Sequence, residues 1–171
     1  MSFRNRCRIA GAEGAVDLSI PIAGGRDQKV PMKEVRIAGG RSWQAQHWKT
    51  IVSCYSRSPW FDYYRDGLQK IFAEPAEFLL DWDLRCLEWS LRVLGMDRPI
   101  LLTDAYEKVY DVEAGADWRG RISPKSLENW GVADVARYRQ VFEERIGFIP
   151  NLSILDLLFC EGREAIRYIR S

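Results

Sequence analysis

Phe3-Arg4-Asn5-Arg6-Cys7-Arg8-Ile9 and, beyond Gly11 to Gly14, Val16-Asp17-Leu18-Ser19-Ile20-Pro21-Ile22 decide how this chain begins to fold. In the first run Phe3, Asn5, Cys7 and Ile9 alternate with Arg4, Arg6 and Arg8, the two-residue period of a strand. In the second, Val16, Leu18, Ile20 and Ile22 keep the same phase. A glycine-bounded turn between two alternating runs predicts an antiparallel pair. Val35-Arg36-Ile37 predicts a third short strand, ended by Gly39-Gly40, while Gly24 to Lys29 is a polar loop too short to link domains.

Beyond Gly40 the period changes. Ser42 is placed as an N-cap, and Trp48, Ile51, Val52 and Tyr55 keep helical spacing as far as Ser58-Pro59. A second helix starts near Pro59 and carries Phe61, Tyr64, Leu68, Ile71 and Phe72. A third, from about Ala76 to Leu94, aligns Leu80, Leu84, Leu87 and Leu91 on one stripe, and Phe78, Trp82, Cys86, Trp89 and Val93 on another. Two apolar stripes predict cover on two sides. Ile100-Leu101-Leu102-Thr103 reads as a buried strand, 104 to 137 as a long loop with one short helical turn, and Arg139 to Phe148 as strand or helix. A last helix follows Ser153, with Asp156 completing a variant of the capping box, and Gly162 breaks it. The expected fold is α+β: a small antiparallel sheet at the N-terminal end packed with several α-helices, in a single domain.

The 171 residues suit one domain with a core large enough to need no staple. Seven Trp fit either large wedges in that core or a ring-lined cleft, and the core is the preferred reading. Twenty-five basic and 24 acidic side chains give a net charge of +1, without the basic excess that nucleic acids or anionic membranes require. Cys7, Cys54, Cys86 and Cys160 form no C-x-x-C pair, and no metal or cofactor is expected. With no apolar leader or spanning run, free thiols fit the cytoplasm.

Arg4, Arg6 and Arg8, with Asn5 between them, are the densest chemical feature. Placed on one strand face, three guanidiniums favour a phosphate- or carboxylate-bearing ligand, a small anionic metabolite. The alternative is a solvated face, or pairing with Asp17, Glu34 or the acids near Glu143. His47, the single histidine, is the candidate general base, with a structural role on the helix surface as the alternative. Asn151 and Asp156 are further candidate ligand-binding groups. No G-x-S-x-G, P-loop or G-x-G-x-x-G occurs, and Asp81 and Asp83, two apart on a helix, make a poor dyad.

Several blocks together resemble the WbqC-like protein family: Phe3 to Ile9, Asp17-Leu18-Ser19-Ile20-Pro21, Glu34 to Ile37, Trp43 to Tyr55 around Gln46-His47-Trp48-Lys49, and Ser58 to Tyr64. Gly147-Phe148-Ile149-Pro150-Asn151-Leu152-Ser153-Ile154-Leu155-Asp156-Leu157-Leu158-Phe159 is the most specific block. The resemblance implies a bacterial protein of O-antigen, lipopolysaccharide or related surface-polysaccharide biosynthesis. It also implies a transferase, with glycine or a sugar nucleotide as substrate class. It makes residues 1–171 a single domain that lacks the family's opening segment, a strand with a His-Gln-Pro type motif. The alternative is a non-catalytic binding or assembly module, in which an uncovered sheet edge would form a homodimer.

Overall fold

The computed structural model describes residues 3–25, 30–108, 117–119 and 135–170. Strands β1 (Arg6–Gly11) and β2 (Gly14–Ser19) pair antiparallel, with Cys7 opposite Leu18 and Ile9 opposite Val16. Ala12 and Glu13 form the tight turn, and Gly14 takes φ +134°, a conformation that excludes ordinary side chains. The hairpin is thus as predicted, but β1 starts at Arg6. Phe3 to Asn5 turn instead of extending, and the Arg6 N–H donates back to the Phe3 carbonyl.

The predicted third strand is reduced to single bridges, Ile22 with Ile37 and Arg36 with Phe78. Met32–Glu34, just before it, forms a 3-10 turn. Pro31 fixes the entry to that turn and withholds a ladder donor.

Helices α1 (Ser42–Tyr55), α2 (Phe61–Ala73) and α3 (Leu79–Val93) follow. Ser42 is the first residue of α1 rather than its cap, and its hydroxyl donates to the Gly39 carbonyl. Pro59 precedes α2 by a turn, in which the buried Ser58 hydroxyl donates to the Tyr55 carbonyl. Gly95, at φ +65°, ends the third helix. Later come α4 (Glu143–Ile146), α5 (Ile154–Glu161) and α6 (Ala165–Arg170), the last two joined by a 3-10 turn at Gly162–Glu164. Ser153 caps α5, its hydroxyl accepting from the Leu155 N–H at 3.4 Å.

Ile100 to Thr103 is not a buried strand. The stretch is irregular, and Leu101 and Leu102 are 86% and 61% exposed. An apolar run becomes a strand only beside a neighbour, and among the described residues none pairs with it. The expected loop at 104–137 lies largely outside the described residues.

The core joins α1, α2, α3 and α5 through Ile51, Tyr55, Phe61, Leu68, Leu79, Trp82, Leu158 and Phe159. Trp43 packs edge-on to Trp82 at 4.7 Å and Phe61 lies 5.3 Å from Phe159, so the rings act mostly as wedges. One polar network is embedded in this core. The Ala10 N–H donates to the Tyr55 hydroxyl at 2.9 Å, which donates to Asp156 at 2.5 Å; Tyr138 donates to the other oxygen at 2.7 Å. With the Ser153 N–H donating to the Arg8 carbonyl at 2.7 Å, these bonds satisfy two outward-facing groups of β1 and dock the hairpin on the helices.

Candidate functional site

Where the hairpin meets the helices, the packing leaves a partly open cavity of about 160 Å³. Phe3 and Arg4 reach it from the opening turn, Arg6 and Cys7 from β1, and Leu18 and Ile20 from the second strand and its exit. His47 comes from α1, Leu68 and Phe72 from α2, and Trp82, Asp83, Cys86, Trp89 and Ser90 from α3. Ser153, Ile154 and Leu155 close it at the start of α5, the end of a helix where backbone N–H groups favour anions. The walls are chiefly apolar, and the charged groups stand among them.

Two of the three arginines therefore face one hollow. The Nε–H of Arg6 is buried and finds no hydrogen-bond partner among the described residues. A buried guanidinium donor without an acceptor is unfavourable unless something arrives to accept from it. Arg8 goes elsewhere: directly opposite Asp17 in the ladder, it donates from Nε to Asp17 at 2.9 Å on the surface. That bond, and secondarily the charges of Arg8 and Arg6, hold the Asp17 carboxyl below its ordinary range. Asn5 clamps the chain, its Nδ2 donating to the Ile20 carbonyl at 2.9 Å while its own carbonyl accepts from the Ile20 N–H.

His47 lines the cavity with its ring edge-on to Trp43 at 5.3 Å. Burial lowers its pKa, partly offset by a backbone hydrogen bond at Ser19 that favours the charged ring. Its imidazole is therefore predominantly neutral at pH 7. Asp83 is the acid that pattern reading passed over. Burial raises its carboxyl from an ordinary 3.8 to about 7, against the opposing pull of Arg4. Its neighbour in sequence, Asp81, is exposed, so the two are separated by helix geometry as expected; nothing in the spacing said which would face inward. Burial also pushes the Cys7 thiol up to about 11 and Cys86 to about 12, leaving both protonated.

Asn151 and Asp156 lie away from this cavity. Asn151 takes φ +58° and lines a more open groove beyond Ser153, beside Tyr138, Phe148 and Tyr168. Asp156 is fully buried, both of its oxygens accepting from tyrosines; burial raises its carboxyl while those donors pull the other way. Among the described residues no group of three or more His, Cys, Asp or Glu could hold a metal ion.

The structure thus defines a small α+β domain with a cationic cavity between its hairpin and its helices. The chain belongs to the WbqC-like protein family, which residues 1–119 match. It is also similar to Uncharacterized protein Rv1507c of Mycobacterium tuberculosis (strain ATCC 25618 / H37Rv), at 26% identity over 191 aligned positions covering 98% of this chain and 81% of the relative. No solved structure matches. Among the described residues, no helix is long and apolar enough to cross a membrane.

Proposed function

We propose that the chain holds a small carboxylate- or phosphate-bearing metabolite in this cavity and acts on it as a cytoplasmic transferase of surface-polysaccharide biosynthesis. One observation carries the reading: Arg4, Arg6, His47 and Asp83, from four separate elements, line the same hollow. The arginines take the anion. Neutral His47 is the group able to accept a proton from a ligand amine or hydroxyl near neutral pH, which group transfer onto that atom requires.

Size chooses between the two substrate classes. A cavity of about 160 Å³ is close to the roughly 150 Å³ that holds one benzene ring, whereas clefts for larger ligands start at roughly 300 Å³. Glycine or a similarly small carboxylate fits whole; a sugar nucleotide would place only one end inside. Thermal melts with glycine, other amino acids, short carboxylates, phosphate and nucleotide sugars test this. The expected result is a rise in Tm with a small carboxylate that disappears in Arg6→Ala. No rise with any of these ligands, or an equal rise in the variant, would refute it.

A second reading, a binding or assembly module without catalysis, is favoured by the two cavity thiols, whose raised pKa values leave no activated sulfur nucleophile. It brings with it a homodimer, built on a surface other than the satisfied β1 groups. Sedimentation over a concentration series separates the readings: a stable dimer that binds no small anion supports the module.

A further inference from the structure

We propose that Asp83 is the resident counter-ion of the cavity, that an incoming anion replaces it beside Arg4, and that each anion bound brings one proton from solvent onto Asp83. The proposal rests on the cavity being an anion site and adds how that site is regulated.

The geometry favours such an exchange. Asp83 and Arg4 line the same hollow, and Arg4 is the charge that acts on the Asp83 carboxyl. A ligand carboxylate drawn to the arginines comes to rest within a cavity about the size of one benzene ring, together with the Asp83 carboxylate. Two carboxylates held side by side in a partly buried space repel each other, which favours a proton on one of them. The ligand gains the guanidiniums, so the proton goes to Asp83. Its carboxyl, raised to about 7 by burial, is already half-way there at neutral pH.

The other groups facing Asp83 leave it as the titrating partner. Arg6 on β1 contributes a guanidinium, while Cys7 on β1 and Cys86 on α3 itself stay protonated to about 11 and 12. His47 on α1 is held neutral by burial. The cavity residues contributed by α2 and α5 carry no titratable side chain. The exchange is balanced: ligand anion and proton enter together, so the net charge of the filled cavity equals that of the empty one.

Acetate, which does not titrate between pH 6.5 and 8.5, is the probe, at constant ionic strength with NaCl. Binding is followed by NMR in wild type, Asp83→Asn, His47→Gln and Arg6→Ala, and the Asp83 carboxyl carbon is titrated with and without acetate. Wild-type affinity should fall about tenfold per pH unit above 7, and the Asp83 carboxyl should titrate at higher pH when acetate is bound. Asp83→Asn should bind with no pH dependence above 7, and His47→Gln should keep the wild-type slope. Acetate binding that is lost in Arg6→Ala yet independent of pH in wild type overturns the counter-ion alone. A slope that survives Asp83→Asn and vanishes in His47→Gln assigns the proton to His47 and also overturns it. Absence of acetate binding in every protein at every pH overturns the anion site itself, and this proposal with it.

Discussion

Replacing Asp83 by Asn should stabilise the protein at pH 8 and leave it unchanged at pH 4. The folded-state pKa of about 7 lies some three units above the ordinary 3.8, so between those values the folded chain binds a proton that the unfolded chain has released. Stability from this group is therefore greatest below pH 4, falls as pH rises through 7, and is flat above that. Three units correspond to at most about 4 kcal/mol. Asp83 is only half-buried, and solvent screening reduces the figure to about 2 kcal/mol. Asparagine keeps the shape without the charge, so the wild-type penalty should be absent from it. Urea unfolding at pH 4, 6 and 8 reads the difference between the two proteins, in which the remaining carboxylates cancel. A gap that opens from near zero at pH 4 to about 2 kcal/mol at pH 8 is expected. A pH-independent gap, or destabilisation at pH 8, would refute the placement of Asp83 in an apolar wall. A residue whose charge costs stability is also the kind of residue that function retains.

Tyr55→Phe should destabilise by about 2–4 kcal/mol in the same assay, because it strips the Ala10 N–H of its acceptor and Asp156 of one donor in a fully buried network. Gly162→Ala should cost about 2–4 kcal/mol in chemical melts: the residue sits at φ +60°, and a Cβ there would lie 2.4 Å from the Trp60 ring. Arg8→Ala should change stability by less than about 1 kcal/mol and leave small-anion affinity intact, since its partner is the surface carboxylate of Asp17. Arg6→Ala, compared by calorimetry, should weaken small-anion binding roughly 10- to 100-fold.

The hairpin and the first three helices were legible because each carries its own period: two in Arg6–Gly11 and Gly14–Ser19, and 3.6 in α2 and in the Trp82–Trp89 stripe of α3, although the leucine stripe expected to be covered leaves Leu87 45% exposed. Helix α5 announced itself through Ser153, whose hydroxyl caps it at the Leu155 N–H, but the capping box does not form: the Ser153 N–H goes to the Arg8 carbonyl and the Asp156 carboxylate to Tyr55 and Tyr138. Less could be read where a residue's surroundings come from distant segments. Alternation put Arg4, Arg6 and Arg8 on one face, but the chain turns at Phe3 to Asn5, and cross-strand register hands Arg8 to Asp17. Arg4 still reaches the cavity, by way of the turn. Leu101 and Leu102 show the converse: an apolar run looks like a strand until the absence of a described neighbour leaves it exposed. Asp83 was invisible for a similar reason. Its environment is made by the opening turn, the hairpin and α1, none of which is near it in sequence.

Following the Arg6 Nε–H by ¹H–¹⁵N NMR while glycine or acetate is added is the most direct measurement of what the cavity does. A small carboxylate seated on the guanidinium should move that signal progressively to saturation, because a buried donor is acquiring its first acceptor, while the Arg8 signal stays still. An Arg6 signal that does not respond to any small anion, or that moves no more than Arg8, would contradict a cavity built to hold one.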